Sequence, residues 1–161
     1  MWSATRGTAR FYDPVVGSTA EPRATGRCLC GAVRYEVRGP LRDVLLCHCL
    51  ECRRWHGTFG AYSSSRHEDF ALLAGNALVW VDSPESDNRA RRGFCGACGS
   101  SLFWQARDLP RIGIAAGTLD RPTGLRVAGH IYTHQAGDWD ALPEDGLPRD
   151  PTPGEIELRW T

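Results

Sequence analysis

Seven cysteines, in three short groups, are the residues of this chain best suited to chemistry. The groups have the spacings C-x-C, C-x-C-x-x-C and C-x-x-C, and their members in order are Cys28 and Cys30; Cys47, Cys49 and Cys52; and Cys95 and Cys98. Thiols this close together can bind one metal ion without a large movement of the backbone, and tetrahedral zinc prefers such clustered sulfur ligands. Seven cysteines fill one four-thiolate site and leave three for a second zinc, whose fourth coordination position would be open to chemistry.

A disulfide framework is the main alternative, and three features of the sequence disfavour it. The number of cysteines is odd, so at least one thiol would stay unpaired. A bridge within a C-x-C group would close a small, strained ring. The N-terminal sequence MWSATRGTARFYDPVV lacks an apolar run long enough for a secretory signal, so we expect a cytoplasmic location rather than an oxidising compartment.

Spacing alone leaves open which cysteine groups share an ion. A zinc that joined the first group to the third would link segments about 70 residues apart, and so would strongly restrict the unfolded chain. The second group could instead form a complete site of its own, with His48 or His56 as the fourth ligand. In either arrangement the metal would supply much of the stability of so small a domain.

Length and composition predict one globular domain, since 161 residues with 42% hydrophobic content can form one modest core. All 19 basic side chains are arginine and they balance 19 acidic ones, so net charge gives no general attraction to nucleic acid or to an anionic membrane. A GC-rich bacterial coding sequence would account for the absence of lysine, and arginine also suits bidentate binding of carboxylates. No stretch approaches the roughly 20 apolar residues that span a bilayer.

The elements that must position the cysteines are predicted to be short β-strands, because most apolar segments alternate with period two between Gly, Pro, Asp or Asn. The candidate strands are 32–37, 41–46, 59–64, 77–82, 89–94, 101–105, 111–115 and 126–132, with a possible terminal strand at 155–160. One turn of helix is predicted at 50–55, since Cys49 and Cys52 are one turn apart. The predicted class is therefore mainly β. We expect a loosely ordered N-terminal extension over 1–25, a zinc-binding domain over 26–141 and a C-terminal tail over 142–161.

The order of these motifs resembles the glutathione-dependent formaldehyde-activating enzyme family, also called the CENP-V/GFA domain family. The match runs through GRCLCGAVRYEV, CHCLECRRWHG and RRGFCGACGSSLFW to IGIAAGTLD and HIY, which covers roughly residues 26–132 and every cysteine group in order. The combined pattern is specific, whereas a single C-x-x-C is not. The resemblance implies an Mss4-like fold of small twisted antiparallel sheets with zinc-binding cysteine knuckles, and two zinc ions per chain.

The resemblance also implies a division of the seven ligands and a reaction. The structural zinc would be bound by Cys28, Cys30, Cys95 and Cys98, and the catalytic zinc by Cys47, Cys49 and Cys52. The family's named reaction joins glutathione to formaldehyde as S-hydroxymethylglutathione and is a carbon–sulfur lyase activity. We therefore predict a zinc-dependent carbon–sulfur lyase acting on a small thiol adduct, with glutathione or another small thiol and a carbonyl compound as substrates.

Further candidates lie near the cysteines. His48 and His130 are predicted as a proton carrier and a pocket residue, and Arg53 and Arg54 as ligands for a substrate carboxylate. Trp55, Phe59 and Trp104 are predicted to be core residues.

Two other function classes and the state of assembly stay open. A non-catalytic, zinc-stabilised binding module of the Mss4-like type would be favoured by a fourth protein ligand on the second zinc. A zinc-ribbon-like nucleic-acid binder is disfavoured by the neutral net charge, although RARR at 89–92 is a local basic patch. We expect a monomer or a homodimer that binds neither nucleic acid nor membrane.

Overall fold

The structure is a computed structural model that describes residues 21–86, 89–150, 156 and 158–161. Most of the N-terminal extension expected over 1–25 lies outside these residues, as do residues 155 and 157 of the terminal strand expected at 155–160. Near the end of the chain, Trp160 forms an isolated β-bridge with Arg42. The backbones of Leu41 and Thr161 exchange two hydrogen bonds of 2.8 and 2.9 Å. No helix among the described residues is long and apolar enough to cross a membrane.

The described residues form eleven short strands and one α-helix, α1, at Leu50–His56. The strands are Ala24–Arg27 (β1), Arg34–Val37 (β2), Val44–Cys47 (β3), Gly60–Arg66 (β4), Phe70–Ala74 (β5), Leu78–Asp82 (β6), Ala90–Cys95 (β7), Ser101–Ala106 (β8), Arg111–Ala115 (β9), Val127–Ile131 (β10) and Arg149–Asp150 (β11). The predicted mainly-β class with twisted sheets is confirmed. The predicted turn of helix is also present and extends to His56.

Two sheets organise these strands. The smaller sheet has the order β1-β2-β5, and the larger has the order β11-β10-β3-β4-β9-β8-β7-β6. Most neighbours are antiparallel, as expected, but β10 lies parallel to both β3 and β11. The larger sheet carries the second and third cysteine groups, because β3 ends at Cys47 and β7 ends at Cys95.

The main core lies where the smaller sheet packs on the larger one. Tyr35 of β2 stacks on Phe70 of β5 with ring centroids 5.5 Å apart. Both rings meet Phe103 of β8 edge-on at 5.2 Å. Cys28 and Cys95 belong to the same buried cluster. Cys28, which directly follows β1, and Cys95, the last residue of β7, therefore both lie in one hydrophobic core.

Gly26 marks the closest approach between β1 and the segment after β9. A β-carbon at this position would lie 2.6 Å from the Thr118 carbonyl oxygen and would overlap the Tyr35 hydroxyl. That hydroxyl is fixed by a 2.8 Å hydrogen bond with the Thr118 side chain. The backbone here cannot move away without separating β1 from its bridge partner Leu119.

We therefore expect Gly26→Ala to lower the free energy of unfolding by about 2 kcal/mol through overpacking. The melting temperature should fall by about 4–8 °C, as measured by circular dichroism on zinc-loaded protein. Gly117→Ala is the matched control, because a β-carbon on Gly117 meets nothing within 4 Å. Equal melting temperatures for the two variants would contradict the close packing at Gly26.

Candidate metal centre and active site

The first metal-binding group consists of Cys28, Cys30, Cys95 and Cys98, and we call it the quartet. Its four sulfurs lie within 4.8 Å of one another. Cys30 Sγ is 3.6 Å from Cys28 Sγ and 3.8 Å from Cys95 Sγ. A tetrahedral zinc with Zn–S bonds near 2.3 Å requires sulfurs about 3.8 Å apart. The geometry of the quartet therefore fits a four-thiolate zinc.

Local backbone structure holds the quartet sulfurs in place. The Val33 amide donates to Cys28 Sγ at 3.3 Å. Gly31 and Gly99 both adopt a φ of 77°, which lets the chain turn sharply just after a cysteine of each knuckle. Ser100 Oγ accepts from the Leu29 amide at 3.0 Å and lies 3.2 Å from Cys98 Sγ. Hydrogen bonds from the Ser100 side chain and backbone lower the pKa of the Cys98 thiol to about 5, which favours the thiolate that a metal needs.

The second metal-binding group consists of Cys47, Cys49 and Cys52, and we call it the trio. Cys47 is the last residue of β3, and Cys49 is the N-cap of α1, where its sulfur accepts from the Cys52 amide at 3.4 Å. Cys52 then follows in the first helical turn. The helix is capped at its C-terminal end by Gly57, which has a φ of 86° and donates its amide to the Arg53 carbonyl. A strand end and a helix start thus bring the three sulfurs within 4.8 Å of one another.

The trio is electrostatically suited to a cation. Hydrogen bonds from the Cys47 and Cys52 thiols lower the pKa of Cys49 to about 2. The same contacts raise the pKa of Cys47, because its thiol serves as a donor to the other two sulfurs. Three ionised sulfurs this close would repel one another, and a divalent cation would remove that repulsion. Among the described residues, no fourth His, Cys, Asp or Glu joins the group.

Arg92 of β7 lies directly beside the trio. Its side chain is only 5% exposed, and both terminal guanidinium nitrogens lie 3.7 Å from Cys52 Sγ. Its Nε donates to Ser83 Oγ at 3.0 Å, and Ser83 donates to Glu51 at 2.9 Å. Arg92 Nη2 is 3.6 Å from Glu51 Oε2. A buried positive charge therefore faces one of the three sulfurs.

A wide cleft of about 1140 Å³ opens over the trio, and all three of its cysteines line it. The cleft floor is one face of the larger sheet, where Ser64, Gly113, Trp104 and Arg92 are successive cross-strand neighbours. Three further arginines, Arg42, Arg53 and Arg111, also line the cleft. The site thus combines an incompletely surrounded group of thiols with a cleft in which four arginines outnumber two glutamates, Glu51 and Glu85.

Comparison with known proteins decides the family. A family model described as "Glutathione-dependent formaldehyde-activating enzyme" matches residues 23–135, most of the chain. The chain belongs to this family. The crystal structure of a Rhodobacter sphaeroides protein is also similar, with 27% sequence identity and a TM-score of 0.50. The similarity covers 60% of this chain and 88% of the Rhodobacter sphaeroides chain.

In this member of the formaldehyde-activating enzyme family, the two predicted histidines are buried beside each other. His48 Nε2 is 2.9 Å from His130 Nδ1, and His130 Nε2 is 3.0 Å from Asp145 Oδ2. Neither imidazole lines the cleft. Burial, together with the neighbouring His130, lowers the pKa of His48, and its Nδ1 is 3.7 Å from Asp140 without a hydrogen bond. The catalytic roles predicted for His48 and His130 stay predictions.

The two predicted carboxylate ligands occupy different environments. Arg53 lines the cleft and donates to the Gln135 carbonyl at 3.1 Å. Arg54 is 70% exposed, lies 3.8 Å from Glu85 and does not line the cleft. His56, considered above as a fourth ligand, is not part of the trio. Its Nε2 is 3.0 Å from the Tyr62 hydroxyl instead.

The predicted core aromatics are all half-buried. Trp55 packs edge-on against Phe94 and donates its indole N–H to Ser101 at 2.8 Å. Phe59 packs against the His48 ring at 5.4 Å. Trp104 lines the cleft instead of the core, so it is available to a substrate.

The three arginines of the basic patch at 89–92 contact other residues of the same chain. Arg89 forms two hydrogen bonds of 3.1 and 2.9 Å with Asp108, and Arg91 lies 4.2 Å over the Trp80 ring. Arg92 points to the trio. These three arginines therefore do not present the open row of cations that a nucleic-acid backbone requires.

Among the cleft residues that sequence reasoning missed, those with the clearest potential for chemistry are Arg42, Tyr62, Arg92 and Arg111. For Arg92 the sequence contained a usable indication. Period-two alternation places Arg92 on the same strand face as Phe94 and on the face opposite to Cys95, so its side chain is predicted to point away from the quartet. The other three are ordinary strand or loop residues in sequence. Only the sheet order brings them to the same cleft as Cys47.

Proposed function

We propose that this protein is a zinc-dependent enzyme that adds a small anionic thiol to formaldehyde or a similar small carbonyl compound. The reverse reaction is a carbon–sulfur lyase step. The observation that carries the proposal is the trio, which opens into a large cleft and has no fourth ligand among the described residues. A purely structural zinc would be closed by four protein ligands, as the quartet can be.

The metal would be held by the sulfurs of Cys47, Cys49 and Cys52. When bound there, zinc would supply a position that favours the thiolate form of an incoming thiol. The remaining chemistry falls to side chains of the cleft. These must hold the thiol in place and give a proton to the carbonyl oxygen.

Tyr62 is the side chain that we assign to proton donation. It lines the cleft, and its hydroxyl contacts His56 Nε2 at 3.0 Å and Ser101 Oγ at 3.3 Å. Burial raises the pKa of Tyr62 to about 12, so the hydroxyl keeps its proton at neutral pH. Burial, together with Arg92, lowers the pKa of His56 to about 4, so the imidazole there is neutral and can orient the hydroxyl.

The proposed addition balances without any redox partner. A lone pair of the thiolate sulfur forms the carbon–sulfur bond, and the π pair of the carbonyl moves to oxygen. That oxygen takes the proton of Tyr62, and the proton lost by the thiol returns to the tyrosinate through solvent. One thiol and one aldehyde thus give one hemithioacetal.

The arginines of the cleft support a substrate with a carboxylate. Arg42 donates to the carbonyls of Asp43 and Tyr62 at 3.1 and 2.7 Å. Burial and the nearby charge of Arg111 lower the pKa of Arg42 to about 10, which still leaves it charged at neutral pH. Among the described residues, neither Arg42 nor Arg111 forms an ion pair with a carboxylate. An anionic substrate would supply the missing negative charge.

We expect Arg111→Gln to raise the KM for glutathione by about 5- to 10-fold with little change in kcat, since about 1–1.4 kcal/mol of uniform binding is lost. The KM for 2-mercaptoethanol, which has no carboxylate, should not change. Arg66→Gln is the matched control, because Arg66 is paired with Arg111 in the sheet but does not line the cleft. An equal change for the charged and the neutral thiol would contradict carboxylate binding at Arg111.

The function itself is tested by following carbon exchange, because the adduct also forms slowly without a catalyst. Zinc-loaded protein is mixed with glutathione and ¹³C-formaldehyde, and exchange between aldehyde and adduct is measured by two-dimensional NMR. Acceleration above the protein-free rate supports the proposal. No acceleration with glutathione or with a panel of small thiols would overturn it.

A further inference from the structure

Arg92 and Cys52 lie in contact in the interior of the protein. Arg92 is buried, and the described acid nearest to it is Glu51, whose oxygen lies 3.6 Å away. That distance exceeds the 2.7–3.2 Å of an ordinary N–H···O hydrogen bond. Burial of a guanidinium without a close anionic partner is costly. The missing partner is supplied by sulfur, because both terminal nitrogens lie at 3.7 Å from Cys52 Sγ.

The orientation of Arg92 is set from the side opposite to the sulfur. Nε is held by Ser83 at 3.0 Å, and Ser83 is held in turn by Glu51 at 2.9 Å. The other oxygen of Glu51 accepts from the Glu85 amide at 3.1 Å. This chain of bonds aims the two terminal nitrogens of the guanidinium at Cys52. A neutral thiol is a weak acceptor, so the arrangement is complete only when Cys52 is a thiolate.

The effect of this contact on the metal site follows from the net charge of the ion and its three thiolates. Three thiolates and one Zn²⁺ carry a net charge of −1, which makes the metal a poor acceptor for a fourth, negatively charged sulfur. A hydrogen-bonded cation on one thiolate withdraws electron density from that sulfur and weakens it as a ligand. The guanidinium does this at every accessible pH because it is always charged.

We propose that Arg92 is a positioning residue that donates two hydrogen bonds to the metal-bound Cys52 thiolate and thereby makes the open position accept a substrate thiolate. This inference rests on the proposed function of the trio. It adds a residue that acts on the metal site through the ligand Cys52.

Cobalt-substituted protein tests the inference without any need for turnover. In Arg92→Gln protein, Cys52 should be more electron-rich, so the sulfur-to-cobalt charge-transfer bands should move to longer wavelength. Binding of glutathione to the cobalt protein should weaken by about 10- to 100-fold, which is typical for loss of a partner to a metal ligand. Arg92→Lys, which keeps the charge but only one donor atom, should shift the bands in the same direction and by less.

Arg91→Gln is the matched control, because the neighbouring Arg91 faces Trp80 and Gln105 and does not line the cleft. Its bands and its affinity for glutathione should match those of the original protein. Wild-type bands in folded, fully metal-loaded Arg92→Gln protein would overturn the proposal. Unfolding of both Arg92 variants, with Arg91→Gln intact, would also overturn it, since the arginine would then serve folding and not the metal.

The result of the Arg92 experiment does not depend on whether the proposed function is correct. If no thiol is ever turned over by the zinc protein, the function fails, yet the band shift in Arg92→Gln can still be measured. If turnover is found and the bands do not shift, only the role of Arg92 fails.

Discussion

Replacing Cys49 by serine should remove the metal from the trio and reduce thiol-dependent turnover by at least about 100-fold, while the protein stays folded. Serine is a good N-cap, so α1 keeps the hydrogen bond from the Cys52 amide that the Cys49 sulfur accepts now. A hydroxyl is nevertheless a poor ligand for zinc in place of a thiolate. The measurements are zinc per chain, turnover and circular dichroism. Zinc should fall from two ions per chain to one.

Cys49→Ala is the matched control for the helix cap. It removes the ligand and the cap together, so it should lose the same metal and also about 1 kcal/mol of stability. The difference between the two variants therefore separates metal binding from helix capping. Full turnover by Cys49→Ser protein would contradict the assignment of the chemistry to the trio.

Replacing Cys95 by serine should unfold the protein. Cys95 is fully buried in the main core and joins β7 to the knuckle of Cys28 and Cys30. Structural zinc contributes on the order of 10 kcal/mol in small peptides, and the whole stability of a domain is about 5–15 kcal/mol. Loss of the quartet ion should therefore leave most chains unfolded at 37 °C. Thermal melting, zinc content and proteolysis by a fixed amount of trypsin measure this.

Cys47→Ser is the control for the Cys95 experiment, because it removes a thiol from the other metal group. Cys47 lies at the end of β3 in the smaller hydrophobic cluster around Leu45, Ile131 and Ile156. The Cys47 variant should lose one zinc and keep a cooperative melting transition. A folded Cys95→Ser protein with a melting temperature within a few degrees of the original would show that the quartet does not hold the fold together.

Much of this architecture could be predicted because its signals are local. Alternating apolar residues located eight of the strands to within a few residues, and the predicted segment 111–115 coincides with β9. Cys49 and Cys52 indicated the helical turn, since they could face one ion only if the chain turned between them. The cysteine spacing likewise grouped the ligands before any fold was known.

Three of the described strands were missed, and two of them, β1 and β5, lack that local signal. Phe70–Ala74 reads FALLA, an almost continuous apolar run without alternation, and it becomes a strand because it pairs with β2. Ala24–Arg27 contains Gly26, which weakens a strand on propensity but is needed for the close approach to Thr118. Both depend on partners distant in sequence. No window of a few residues contains that information.

The cleft was the least predictable part for the same reason. Arg42 lies before β3, Tyr62 in β4 and Arg111 at the start of β9, and they become neighbours only through the order β3-β4-β9 of the larger sheet. The helix residues 53 and 54 were the natural arginine candidates because they follow Cys52 directly. Helical geometry points only one of them into the cleft.

Strand β7 contributes to both metal-binding groups. One face carries Arg92 toward Cys52, and its final residue, Cys95, belongs to the quartet. The two side chains are three residues apart, about 10 Å along an extended backbone. Both residues pair with the neighbouring strand β6, Arg92 with Val81 and Cys95 with Leu78, so loss of this pairing would displace both. Loss of the structural ion from a chain should therefore also displace the guanidinium beside Cys52, so that the anchor of the architecture also supports its chemistry.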